Sequence, residues 1–145
     1  MNVNDVNFGG YSIEEISIGM KEAYCHTISD ADIKAYAGIS GDNNPVHMSK
    51  AYAANTRFKD RIAHGFYSAG FFSALFGTKL PGPGCVYVSQ NLKFVRPVYI
   101  NDEVIAVVEV TSLDKPRGRV FFSTRCFVNE KMVIDGEAEL YIPKK

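Results

Sequence analysis

Residues 63–80 read A-H-G-F-Y-S-A-G-F-F-S-A-L-F-G-T-K-L, with no acidic, lysine or arginine side chain before Lys79. A run of that length suits a helix rather than a strand, and an apolar character on all sides implies burial all round. Something must therefore wrap this helix. Its small residues (Gly65, Ser68, Ala69, Gly70, Ser73 and Ala74) let a sheet come close, and Pro81-Gly82-Pro83-Gly84 ends it abruptly.

The rest of the chain supplies the wrapping. Segments 86–95, 103–113, 119–129 and 132–142 are rich in Val, Ile, Phe and Tyr and read as strands. Their breaks fall at 97–102, at 114–118 and at the tight turn Asn129-Glu130-Lys131, links short enough to favour an antiparallel meander. Val104, Ala106, Val108 and Val110 alternate with Ile105 and Val107, so this strand is apolar on both faces. One face can pack on the helix; a partner subunit is the obvious cover for the other.

Upstream, residues 21–28 form a further short strand. Ser29, Asp30 and Asp32 signal a helix N-terminus, and Ile33, Tyr36 and Ala37 give that helix its apolar stripe. It should stop near 38–41, and a short helix resumes around 49–55. The reading is an α+β chain in which one long central helix is wrapped by a curved antiparallel sheet, a hot-dog fold. At 145 residues the chain makes one domain over 11–145, behind a flexible lead-in of residues 1–10 with three Asn and a Gly-Gly pair.

Composition narrows the function classes. Sixteen basic residues balance sixteen acidic ones, which lacks the electrostatic footprint of a nucleic-acid binder. Cys25, Cys85 and Cys126 are odd in number and widely spaced, with neither a CxxC pair nor a disulfide framework. They suit a reducing cytoplasm. No basic-then-apolar leader and no membrane-spanning stretch is expected.

Chemistry concentrates around the turn-rich segment. Asp42 and His47 are separated by Asn43-Asn44-Pro45-Val46, a stiff stretch that can aim a carboxylate and an imidazole into one space. Such a pair can hold one water and pass protons both ways near neutral pH. His64-Gly65 opens the buried helix, where unpaired N–H groups and the helix dipole can stabilise charge developing on a carbonyl oxygen. Asp42, His47 and His64 could also be drawn as a two-His-one-carboxylate metal site. Nothing in the sequence fixes that geometry, and neither a metal nor an organic cofactor is expected.

The segments Gly41-Asp42-Asn43-Asn44-Pro45-Val46-His47, Ile62-Ala63-His64-Gly65 and Leu80-Pro81-Gly82-Pro83-Gly84 resemble the MaoC-like (R)-specific enoyl-CoA hydratases, the hydratase 2 family. Phe94-x-Arg96-Pro97-Val98 and Gly136-Glu137-Ala138 extend the resemblance to nearly the whole chain. It implies reversible hydration of trans-2-enoyl-CoA to (R)-3-hydroxyacyl-CoA, with Asp42 and His47 as the catalytic pair. It further implies Asn44 as a support of the loop or of the water, and the Gly65 N–H as the oxyanion donor. Ser73 takes the place of a serine facing the acyl pocket. His64 either lines the pocket or orients its neighbours. The family's homodimers with a double-width sheet would cover the two-faced strands.

Phe76 follows Ser73 by three residues on nearly the same helix face; if that face lines an acyl tunnel, a phenyl there implies short acyl chains. Lys50, Arg57, Lys59, Arg61, Lys93 and Arg96 can meet the phosphates of an acyl-CoA or can simply be solvated. Three rivals stand beside this reading. One is a dehydratase acting on acyl carrier protein thioesters, another is a thioesterase, and the third is a non-catalytic acyl-thioester-binding subunit.

Overall fold

Alternation of burial along the strands sets the architecture. In β3 (Glu103–Asp114), Val104, Ala106, Val108 and Val110 are buried while Glu103 and Ile105 face out. In β4 (Arg119–Val128), Val120, Phe122, Thr124 and Cys126 point inward in the same rhythm. β5 (Lys131–Tyr141) contributes Ile134, Ala138 and Leu140. With β1 (Lys21–Thr27) and β2 (Val86–Phe94), these strands form one antiparallel sheet in the order β1-β3-β4-β5-β2 in a computed structural model that describes residues 1–144.

The long apolar segment is helix α4 (Gly65–Thr78), laid in the concave face of the sheet. Phe71, Phe72, Leu75 and Phe76 form its buried side, and the Phe76 ring meets Phe122 of β4 at 4.6 Å between centroids. Register shifts at 87/89, 110/112 and 126/127 are bulges of the kind that bend strands and tighten twist. This is the expected hot-dog fold. The β4–β5 connection is a two-residue turn, with Asn129 and Glu130 at φ of 48° and 68°. That pair of left-handed residues matches the twist of the flanking strands.

Three expectations are corrected. First, β2 does not follow the meander to lie beside β3; it pairs with β5 at the far edge. After Phe94 the chain is held to the segment before α4: the Ala63 N–H donates to the Val98 carbonyl at 2.7 Å, and Ile62 bridges Tyr99. It thus crosses the end of the sheet instead of turning back as a hairpin. Second, α4 is not buried all round in the single chain. Phe66 is 63% exposed, and Gly70, Ser73, Ala74, Gly77 and Thr78 continue its open stripe. Third, helix resumes earlier than expected, at α2 (Pro45–Met48), before α3 (Lys50–Ala54). Pro45 occupies the first helical position, where its fixed φ suits a helix and its missing N–H costs nothing. Residues 1–10 carry a single 3-10 turn, Val3–Asp5, capped by Asn2 and Asp5.

Gly136 of β5 lies where an added Cβ would overlap the Asn91 carbonyl oxygen of β2. Gly136→Ala should therefore cost about 1–3 kcal/mol, seen as a lower urea midpoint with an unchanged slope. An unaltered midpoint would contradict this close approach of the two strands.

Candidate active site

Helix α1 (Asp30–Ser40) begins with a capping box in which Ser29 and Asp32 satisfy each other's backbone N–H groups. It ends at Gly41, whose φ of 80° turns the chain back while its N–H bonds the Ala37 carbonyl at 2.9 Å. A β-carbon is strained in that conformation. The turn delivers Asp42 next to the start of α4. Asp42 accepts the Asn44 N–H on Oδ1 at 3.2 Å, and Asn44 accepts the Val46 N–H on its own side-chain oxygen at 3.2 Å. Asn44 therefore caps α2 and holds the loop; its side-chain oxygen is already used.

His47 sits on α2 and is 8% exposed. Its Nδ1–H donates to the Ile62 carbonyl at 2.7 Å. That bond fixes the tautomer and leaves Nε2 as an acceptor. His64 is 2% exposed and donates from Nε2 to the Asp42 carbonyl at 2.9 Å, so its Nδ1 is also an acceptor; buried, it has no partner. The two imidazoles stack at 3.9 Å with a 30° tilt, and Tyr36 of α1 backs His64 at 4.8 Å. The structure thus brings Asp42, His47 and His64 together, with one ring nitrogen of each histidine and a carboxylate oxygen of Asp42 all within 4.8 Å of one another. The third histidine lies apart: His26 of β1 pairs with Asp32 at 2.8 Å.

Burial pushes the His47 pKa below its ordinary value. The Ile62 bond and the Asp42 charge oppose that shift, while His64 adds to it. His47 is therefore neutral at pH 7 and presents a lone pair. Asp42 is exposed. A water, which has two hydrogens to give, can serve two such acceptors at once. The same three side chains are also of the types that could hold a metal ion.

A hollow of about 330 Å³ opens beside the cluster, lined by His47, His64, Gly65, Ser68, Phe94 and Val98 among others. Asp42 stands at its edge and does not line it. At Gly65 a Cβ would overlap the Phe94 ring. A side chain there would have to displace the half-exposed Phe94 ring, and the Gly65 N–H lies in the first helical turn, where no intrahelical acceptor exists. Ser73 and Phe76 do not share a space in the single chain. Ser73 is on the open stripe, whereas Phe76 is in the core between Phe122 and Tyr87. A step of three residues leaves side chains about 60° apart, and the burial boundary falls between these two.

Sequence reasoning missed Ser68, which is 1% exposed with its hydroxyl unpartnered. Its place one turn beyond His64 was the available signal. Arg61 was misplaced among the surface charges. It is 14% exposed, paired with Asp30 at 2.7 Å and donating from Nε to the His47 carbonyl at 2.6 Å.

Residues 15–132 match the family described as MaoC like domain. The chain belongs to that family. Among its MaoC-like relatives, the (R)-specific enoyl-CoA hydratase of Rhodospirillum rubrum is 50% identical over 132 residues, spanning 91% of this chain and 92% of that one. The 3-hydroxybutyryl-CoA dehydratase of Methylorubrum extorquens is 47% identical over 132 residues, 91% of this chain and 84% of that one. The solved (R)-hydratase of Aeromonas caviae, described as involved in PHA biosynthesis, superposes with a TM-score of 0.87 at 37% identity. The superposition covers 90% of this chain and 99% of that one.

The His47 geometry carries a pH consequence. An unfolded histidine protonates near 6.5, above the lowered value in the fold. Its contribution to stability is therefore complete above about 6.5 and is lost as pH falls from there through the folded pKa. A proton-detected titration should place His47 below 6.5 with Nδ1 protonated at neutral pH; a midpoint at or above 6.5 would contradict the burial argument.

Proposed function

We propose that this MaoC-like chain reversibly hydrates short trans-2-enoyl-CoA thioesters to (R)-3-hydroxyacyl-CoA, with Asp42 and His47 acting on one water. The observation that carries this reading is the pairing of an accessible carboxylate with a neutral, tautomer-fixed imidazole at the start of α4. The relatives named as an (R)-specific enoyl-CoA hydratase and a 3-hydroxybutyryl-CoA dehydratase support the reaction, and the second name supports a four-carbon chain.

The water lies between Asp42 and the Nε2 lone pair of His47. Asp42 takes a proton from it as its oxygen bonds to the β-carbon. The π electrons move toward the thioester, and the carbonyl oxygen gains charge opposite the Gly65 N–H at the positive end of α4. The proton held by the pair then passes to the α-carbon as the carbonyl re-forms. H and OH are added and nothing is oxidised overall, so the chemistry calls for no redox cofactor. His47 shares the water and eases the transfer.

A second copy of the chain covers the open stripe of α4 and the outer edge of β2, where Val86, Val88 and Phe94 are exposed. Ser73, on that stripe, reaches an acyl pocket only once the copy closes over it. Cys25, Cys85 and Cys126 are free, which suits action in the reducing cytoplasm, and no helix among the described residues is long and apolar enough to cross a membrane.

Asp42→Asn and His47→Gln should each lower kcat for crotonyl-CoA hydration by roughly 10²–10⁴-fold under conditions where the variant is fully folded. Wild-type rates in either folded variant would overturn the pairing. Light scattering should give a dimer mass; a monomer that hydrates at full rate would remove the second copy from the reading.

A further inference from the structure

The structure separates the basic residues that the sequence leaves equivalent. Arg61 is spent on Asp30 and the His47 carbonyl. Lys50, Lys59 and Lys93 do not line the active-site hollow. Arg57 and Arg96 do, and they come from two different segments. These segments are tied together: the Tyr99 hydroxyl donates to the Phe58 carbonyl at 2.8 Å, Ile62 bridges Tyr99, and the Ala63 N–H bonds the Val98 carbonyl. Arg57 lies over the Phe58 ring at 4.7 Å, and Arg96 donates from Nη1 to the Met132 carbonyl at 2.8 Å. Both are exposed, yet each is steered by a neutral contact.

Neither guanidinium belongs to an ion pair among the described residues, and no carboxylate among them lines the hollow. What sets Arg57 and Arg96 apart from the other cations is their position at a largely apolar hollow. Arginine presents a rigid fork of donors matched to phosphate oxygens.

We propose that Arg57 and Arg96 form a phosphate-binding rim for the carrier arm of the thioester, outside the catalytic pair. This rests on the hydratase reading, since it is that reaction which brings a phosphorylated pantetheine to the hollow. The shared ligand chemistry is a phosphate monoester or diester on a pantetheine arm, present both in free CoA and on a carrier protein.

The test uses three crotonyl thioesters with the full-length chain: of CoA, of 4′-phosphopantetheine, and of pantetheine, which lacks any phosphate. For the Arg57→Gln/Arg96→Gln variant, the loss of kcat/KM on crotonyl-CoA should exceed the loss on crotonyl-pantetheine by about tenfold or more. The excess should reside in KM and shrink as salt rises. A phosphopantetheine thioester that behaves like CoA places the rim on the phosphate that CoA and carrier proteins share. One that behaves like pantetheine places it on the nucleotide phosphates of free CoA; either outcome supports the rim. Losses on CoA and pantetheine within twofold of each other, or no loss on CoA, overturn it. If the wild type hydrates none of the three, the hydratase reading fails instead. Calorimetry with CoA alone then still decides the rim, by weaker binding in the double variant or by equal binding.

Discussion

Helix α4 buries Phe72, Leu75 and Phe76 against Val104, Val108, Phe122 and Leu140, and everything at the site is referenced to that packing. Full burial of each such side chain contributes about 1.5–3 kcal/mol, so the helix cannot slide without a large loss. Its N-terminus is therefore fixed at one end of the sheet. The α1–α2 turn is carried to the same end, because Arg61 ties Asp30 of α1 to the His47 carbonyl and His64 bonds the Asp42 carbonyl. Two backbone acceptors and one ion pair thus convert core packing into placement of the reacting groups.

The consequence for chemistry is a site rich in acceptors. His47 and His64 each spend one N–H on a backbone carbonyl, at Ile62 and at Asp42, and each keeps a lone pair. Burial holds His47 neutral. Asp42 completes the set from the solvent side, and the helix N-terminus supplies the opposite polarity through its free N–H groups. In the proposed reaction these acceptors would hold the water and the helix N–H groups would face the oxygen anion. That polarity is what addition of water to an enoyl thioester requires.

Much of this was legible in the sequence, for reasons that can be traced. The uncharged run before Lys79 marked α4, and the D-x-N-P-x-H spacing marked the pair. Alternation in 104–110 gave the inward face of β3. What failed depended on contacts between segments distant in sequence. The place of β2 is decided by the Ala63–Val98 and Ile62–Tyr99 links, which no local pattern announces. Arg61 looked like any surface cation until Asp30 and the His47 carbonyl claimed it. Ser73 and Phe76 were read as one face because their spacing is helical, but the edge of the core runs between them.

The open stripe of α4 and the free edge of β2 remain the surfaces whose apolar character exceeds what a lone chain needs. The proposed second copy would cover both and would bring Ser73 to the acyl chain. The most direct test of the central claim, that one polarised water is added to one face of an intact thioester, is chiral analysis of the product from crotonyl-CoA. Only (R)-3-hydroxybutyryl-CoA should form, with the thioester uncleaved. The (S) product, a racemic mixture or release of free CoA would contradict it.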